Sequence, residues 1–383
     1  MLYYLSSYLT EFWGPFRLLQ SHVFLLAFGT VLAGLLTLFL LPKFFRFLPS
    51  DHGKAILGKD GMVSKGKPTG GGFFVTLLAL PVILLVMPLR LPDLGVIGCL
   101  YLSMLFGYLD DRSNLPWGEL KKGLLDVIVS VGAAACIFWG YAEGTGDWMT
   151  LQVWLPFVKG MVGIPWWLYI LAAGFMLWFV MNATNCSDGV DGLAGTLTLV
   201  TIVVLAGLLY GVIGNLNLAQ YFRIFDPQVA RESGEIVAFG GTHARMAARW
   251  SVTLMTVGGS VAGYLWWNAE PSKVLMGDAG SRFLGLLVGV GVLVTGNPLL
   301  VFAMAPVILV NGGGGLGKLV LLRLAKKIGF QIGDDSVIKR IRFPLHDHCK
   351  KNLKWSNAQV LMRFSLLQAF LMPLLLIILI KVR

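Results

Sequence analysis

Apolar residues in this chain run in long stretches instead of the three- or four-residue stripe of a soluble helix. A run of about 17 to 25 residues with few charges is long enough to cross a bilayer as a helix. Such runs fall at 22–46, 72–89, 93–109, 123–141, 165–181, 193–214, 250–267, 283–297, 299–323 and 358–380. The eighth is short, and the ninth is interrupted by Gly312, Gly313, Gly314 and Gly315. Polar residues are held mostly in the segments between. The pattern predicts an all-α, polytopic integral membrane protein of about ten transmembrane helices, organised as a single domain over 1–383. The leading segment 1–20, MLYYLSSYLTEFWGPFRLLQ, has aromatic residues but neither a basic leader nor a small-residue cleavage site. It reads as a helix lying along the membrane surface, not as a signal peptide.

Composition agrees. Charged residues are 13% of the chain against about 25% in soluble domains, and the mean hydropathy is +0.74. Cys99, Cys136, Cys186 and Cys349 have no metal-site spacing, and three of them fall in or beside apolar runs, so no disulfide framework is expected. With alternating spans and both termini outside, 21 of the 31 lysines and arginines fall on the inner side, as the positive-inside bias requires. This orientation makes 215–249 an extracytoplasmic loop and 318–357 a basic cytoplasmic loop. The net charge of +11 is spread over membrane-flanking segments and suits anionic lipid headgroups and nucleotide phosphates, not a nucleic acid.

The same orientation gathers the unusual polar clusters on one side. GYLDDRSN closes the third run with Asp110 and Asp111, and NATNCSDGVDGLAG follows the fifth with Asn182, Asn185, Asp188 and Asp191. WWNAEPSKVLMGDAGS follows the seventh with Asn268, Asp278 and Ser281. RFPLHDHCKKN precedes the last with His346, Asp347 and His348, and SKGKPTGGG supplies Lys65, Lys67 and Thr69. Taken singly, each has an ordinary explanation as a cap, a turn or a flexible glycine entry to a helix. Together they place several carboxylates beside a basic loop near low-dielectric lipid, where their repulsion is poorly screened. A Mg²⁺ ion held by one or two carboxylates and by substrate phosphates would relieve that repulsion, and lysines would hold the phosphates. The residues therefore point to a Mg²⁺/phosphate site at the cytoplasmic face, with a second substrate dissolved in the bilayer.

NATNCSDGVDGLAG, VLMGDAGS, the Asp pair closing an earlier helix, and PLHDHCKKNLKWSNAQVLMRF resemble the polyprenyl-phosphate N-acetylhexosamine-1-phosphate transferases. Within that superfamily they most resemble its phospho-N-acetylmuramoyl-pentapeptide-transferase branch, over nearly the whole chain. The resemblance implies transfer from UDP-N-acetylmuramoyl-pentapeptide to undecaprenyl phosphate, giving lipid I and UMP for peptidoglycan synthesis, in the bacterial cytoplasmic (inner) membrane with the active site on its cytoplasmic face. It makes Asp278 the principal Mg²⁺ ligand and Asp110 and Asp111 the acidic pair, Asp110 by preference acting on the lipid phosphate. Asn185, Asp188 and Asp191 would line the nucleotide site, Asn268 would contact the pyrophosphate, and His346 would assist phosphate or sugar binding. Lys65, Thr69, Asn182, Ser281 and His348 complete the substrate-binding set, and homodimerisation is implied as well.

The pattern is broken in places. Asp347 stands in the middle of a usual triple histidine, and Asn114 replaces a lysine whose charge would have to come from Lys121 or Lys122. Leu275 replaces an aromatic residue, Ser64 precedes a displaced Lys65, and Asn311 stands where glutamate is common. Two other readings remain open at this stage. One is a superfamily member with another donor, such as UDP-GlcNAc; the other is an ion-coupled transporter whose aspartates bind cations.

Overall fold

A computed structural model describes residues 1–51, 66–113, 117–158, 160–215, 234–328, 336 and 340–381. The apolar runs become helices: α1 (Leu2–Phe12), α2 (His22–Phe44), α3 (Gly71–Val86), α4 (Leu91–Arg112), α5 (Glu119–Thr145), α6 (Trp166–Cys186), α7 (Leu193–Gly207), α8 (Gly234–Asn268), α9 (Gly277–Val294), α10 (Gly314–Lys327), α11 (Leu345–Lys351) and α12 (Asn357–Lys381). Among the described residues, eight helices are long and apolar enough to cross a membrane. The chain is an all-α polytopic membrane protein.

Two of the ten expected spans fall outside those eight. Helix α3 is short, at 16 residues. Helix α8 is long, at 35 residues, but rich in Ser, Thr and Gly. The reason is its position: from Trp250 to Tyr264 nearly every side chain is buried, so α8 faces protein more than lipid. Some of its hydroxyls bond back to the helix's own carbonyls. Thr256 donates to the Val252 carbonyl at 2.8 Å, and Ser251 to the Ala248 carbonyl at 2.7 Å. Small residues let the backbones of α2 and α8 meet, with Gly34 and Gly259 at the crossing. Helix α9 is wrapped in the same way, its apolar window 89% buried.

Three expectations need correction. The segment 215–249 is not wholly a loop, because α8 already begins at Gly234. Its polar entry is stabilised by partners from neighbouring helices. The Arg249 Nε lies 3.1 Å from an Asp93 carboxylate oxygen, and Trp250 Nε1 donates to the other at 3.0 Å. The basic loop expected over 318–357 is partly helical, since α10 runs to Lys327 and α11 spans Leu345–Lys351. The eighth span starts at Gly277, not 283, which puts Asp278 inside a helix. The sequence also gave no warning of a hairpin between α5 and α6, in which Thr150–Trp154 pairs antiparallel with Met161–Pro165. Trp154 ties that hairpin to the far end of α9 through Nε1 to the Thr295 carbonyl, at 2.8 Å.

The leading segment is helical, with α1 followed by a 3-10 turn over Gly14–Gln20 and Tyr8, Phe12 and Trp13 exposed. None of the four cysteines is in a disulfide bond.

Candidate active site

One end of the bundle is laced together by backbone. The PTGGG segment runs alongside LMGD: Leu275 N donates to the Pro68 carbonyl at 2.8 Å, Gly71 N to the Leu275 carbonyl at 2.9 Å, and Gly72 N to the Met276 carbonyl at 3.0 Å. A Cβ on Gly72 would overlap the Gly280 backbone. This close approach, and not flexibility, is what the glycine run supplies. Gly277 enters α9 at φ +72°, and a side chain there would also strike the Asp111 carboxylate.

Asp111 is the clamp on this junction. One carboxylate oxygen accepts from Asp278 N and the other from Ala279 N, each at 3.1 Å. A carboxylate from the end of α4 thereby satisfies two orphan N–H groups of α9 and complements its dipole. Asp110, its neighbour, faces the other way. It accepts from Trp117 N at 3.0 Å and pairs with the Lys122 ammonium at 2.5 Å.

Asp278 lies at the centre. Its Oδ1 accepts from the Asn185 amide at 3.0 Å, and that amide also reaches the Ser281 hydroxyl at 3.0 Å. Its Oδ2 is 3.3 Å from Arg282 Nη2 and 3.8 Å from Lys122 Nζ. Arg282 continues to Asp126 at 2.6 Å. Asp278 is more open than Asp110 or Asp126, with 27% of its side chain exposed against 7% and 2%. Of the two lysines that stood to replace Asn114, Lys122 takes that place. Lys121 instead sits 3.4 Å above the Trp117 ring.

The glycine-rich turn between α6 and α7 adjoins this cluster. Asp191 accepts from Ser272 N at 3.1 Å and lies 3.5 Å from Lys67 Nζ, which itself reaches the Ser272 hydroxyl at 3.0 Å. Three segments far apart in sequence are joined by that triangle. Asp188 is half-buried beside it. Gly189 packs against the His346 ring so closely that a Cβ would overlap Nε2. This brings the histidine loop onto the Asp188–Asp191 turn.

His346 is buried. Its backbone N–H donates to Asn311 Oδ1 at 2.9 Å, and its Nδ1 lies 3.2 Å from the same oxygen. The amide oxygen can only accept, so Nδ1 carries the proton and Nε2 is left as an acceptor toward Gly189. Burial pushes the imidazole down from the usual 6.5 to about 4, and Lys350 and Lys351 add to that against the pull of Asp347. The ring is therefore neutral at pH 7. Asp347 is engaged by Lys351 at 3.5 Å, one turn along, and His348 Nδ1 accepts from Arg342 N at 3.3 Å.

Asn268 does not fit its expected place at the pyrophosphate. Its oxygen accepts from Gly192 N at 2.7 Å and its amide donates to the Val274 carbonyl at 2.8 Å, so it is a buried brace between two loops. Asn182 is half-buried and gives its amide to the Trp178 carbonyl at 2.9 Å. Thr69 is half-buried, with its backbone N–H on the Pro49 carbonyl at 2.9 Å. Lys65 and Asn114 lie outside the described residues. Leu275 contributes through its main chain. Arg282 and Asp126 were missed by sequence reading, although an acid inside the 123–141 run was a usable signal. Among the described residues, no three His, Cys, Asp or Glu side chains form a ready-made metal cage.

Residues 94–296 match the model of glycosyl transferase family 4. The chain is 41% identical over 378 residues to a phospho-N-acetylmuramoyl-pentapeptide-transferase of Treponema pallidum (strain Nichols), covering 98% of this chain and 95% of that one. Proteins of the same name from Gemmatimonas aurantiaca and Chloroherpeton thalassium are 29% and 28% identical, over 95% and 97% of this chain and the same shares of theirs. The carboxylates meeting at one end of a helical bundle thus belong to a chain that is a member of glycosyl transferase family 4, among its phospho-N-acetylmuramoyl-pentapeptide-transferases.

Proposed function

We propose that this enzyme transfers phospho-N-acetylmuramoyl-pentapeptide from its UDP-linked donor to undecaprenyl phosphate in the cytoplasmic membrane, releasing UMP and forming lipid I at the cytoplasmic face. The observation that carries this reading is the meeting of Asp110, Asp278, Lys122 and Asn185 at the ends of four different helices. In the reaction an acceptor phosphate oxygen bonds to the sugar-bearing phosphorus as the bond from that phosphorus to the UMP oxygen breaks.

Such a displacement needs in-line placement and neutralisation of phosphate charge, more than covalent chemistry from the protein. Asp110, at the end of a membrane helix, is placed to orient the acceptor phosphate and take its proton. Lys122, now shared between Asp110 and Asp278, would turn to the pyrophosphate when substrate enters. Asp188 and Asp191 face the nucleoside, and neutral His346 offers its Nε2 lone pair as a hydrogen-bond acceptor. Asp111 and Asn268, with their polar atoms already engaged, hold the frame.

The donor set fits a Mg²⁺ ion. Four carboxyl groups, on Asp110, Asp111, Asp126 and Asp278, share the two cations Lys122 and Arg282, and Asp278 is more open to solvent than Asp110 or Asp126. Mg²⁺ asks for only one or two carboxylates, filling its shell with water and phosphate oxygens, so Asp278 would hold the ion. Bound there, Mg²⁺ would offset the charge that builds on the pyrophosphate oxygens. Transfer of radiolabelled phosphosugar to undecaprenyl phosphate, with UMP release, should require Mg²⁺ and be lost in Asp278→Ala. Full activity in that variant, or activity unaffected by chelation, would end this reading. Turnover of UDP-GlcNAc in place of the pentapeptide donor would transfer it to another branch of the superfamily.

A further inference from the structure

Two pairs of opposite charges face each other inside the bundle. On α5, Lys122 and Asp126 are one turn apart; on α9, Asp278 and Arg282 are one turn apart. Both helices begin at the site and run away from it, so Lys122 lies level with Asp278 at 3.8 Å, and Asp126 with Arg282 at 2.6 Å. Arg282 is buried, yet its two terminal nitrogens serve different acids: Nη1 serves Asp126, and Nη2 reaches Asp278 Oδ2 at 3.3 Å. The shorter contact is to the acid deeper in the bundle. Two charges cost heavily to place in such surroundings unless they are paired, and neither had a role in the sequence-based assignment of the site.

We propose that Asp126 and Arg282 are a positioning pair that divides one guanidinium between two carboxylates and so sets how strongly Asp278 holds a divalent cation. This rests on the proposed Mg²⁺ site. Asp126 draws the guanidinium inward. Without that pull, Arg282 has a single carboxylate left to satisfy it and closes on Asp278, occupying the oxygen an ion would use. Without Arg282, Asp278 gains free charge while Asp126 lies too deep to compete for the ion. The two single substitutions therefore act in opposite directions, and removing both charges leaves the local balance unchanged.

The test uses the full-length protein in detergent, with Mn²⁺ as the ion and electron paramagnetic resonance to count it free or bound, without substrate. Asp126→Asn is expected to weaken Mn²⁺ binding about tenfold, Arg282→Met to tighten it, and the double variant to fall within about threefold of the unmodified protein. In the transfer assay the Mg²⁺ concentration giving half-maximal rate shifts in the same order, separately from kcat at saturating Mg²⁺. General damage to packing cannot produce shifts of opposite sign. Should Arg282→Met fail to fold, the comparison of Asp126→Asn with the double variant decides: recovery in the double supports the pair, and equal weakening overturns it. Shifts of the same sign, or none, overturn it as well. If the unmodified protein binds no Mn²⁺, the metal reading falls and this inference with it, whereas normal binding with unmoved variants removes this inference alone.

Discussion

Asp111→Asn separates an anchoring aspartate from a reacting one. The carboxylate accepts two backbone N–H groups at the start of α9, each at 3.1 Å. Asparagine keeps one acceptor oxygen and turns an NH₂ donor toward the other N–H. The loss is one charge-assisted hydrogen bond, about 1.5–3 kcal/mol, plus the interaction of a negative charge with the helix N-terminus, about 0.3–1 kcal/mol. The sum is about 2–4 kcal/mol. Thermal unfolding in detergent should therefore fall by several degrees. Activity should fall too, because the first turn of α9 carries Asp278. The diagnostic is their covariation: lipid or nucleotide analogues that stabilise the fold should restore part of the activity, and the pH profile of kcat should keep its shape. A variant as stable as the unmodified protein but without activity, and with its acid limb gone, would make Asp111 the base and refute the anchoring role.

Four further outcomes follow from the same geometry. Asn268→Ala orphans the buried Gly192 N–H and Val274 carbonyl, at about 1–3 kcal/mol each; lower thermal stability with a raised KM for the UDP donor is expected, and an unchanged melting temperature would contradict it. Gly189→Ala pushes its methyl into the His346 ring and should weaken donor binding at least tenfold, with partial recovery in Gly189→Ala/His346→Ala measured by the same titration. Lys122→Met leaves Asp110 and Asp278 without their shared cation and should cut kcat/KM by at least a hundredfold, while Lys122→Arg retains part of it. His346 has a folded-state value of about 4 against 6.5, so the fold prefers its neutral form. Its penalty on stability grows as pH falls from 6.5 and is complete below 4, at about 3 kcal/mol; unfolding measured from pH 7 to 4 should lose that portion of its slope in His346→Gln.

The helices were legible because lipid-facing surface demands long apolar runs, and α2 and α12 stand close to where those runs predicted. Legibility failed where protein replaced lipid. The entry to α8 carries His243 and Arg249, which read as loop residues, but Asp93 on α4 satisfies the arginine. Asp278 read as a loop acid because nothing local in MGDAGS announces that a carboxylate 167 residues earlier will cap its helix. Asn268 was chosen as a substrate contact by motif alone; its two buried backbone partners come from segments whose proximity is tertiary. By contrast, Asp110, Asp278 and Asn185, each picked out at the end of an apolar run, meet around Lys122 at one end of the bundle. Lys67 is the described lysine at Asp191; Lys65 lies outside the described residues.

The partners of each polar group sort the site by what a substrate is able to replace. Asp111 and Asn268 hold backbone groups, which cannot leave without unmaking a helix start or a loop, so these side chains are tied to the frame. Asp110 and Asp278 are held largely by Lys122 and Arg282, charged side chains that a pyrophosphate would attract and a metal ion would displace. Close negative charges kept apart only by movable cations are poised to accept a more highly charged one. On the proposed reading, such an arrangement would favour a cation that arrives bearing phosphate. The Asp191–Lys67 contact belongs to the second kind: at 3.5 Å, with both groups partly exposed, it is a pair that a nucleotide phosphate can open without disturbing the Ser272 N–H bond that keeps the turn in place.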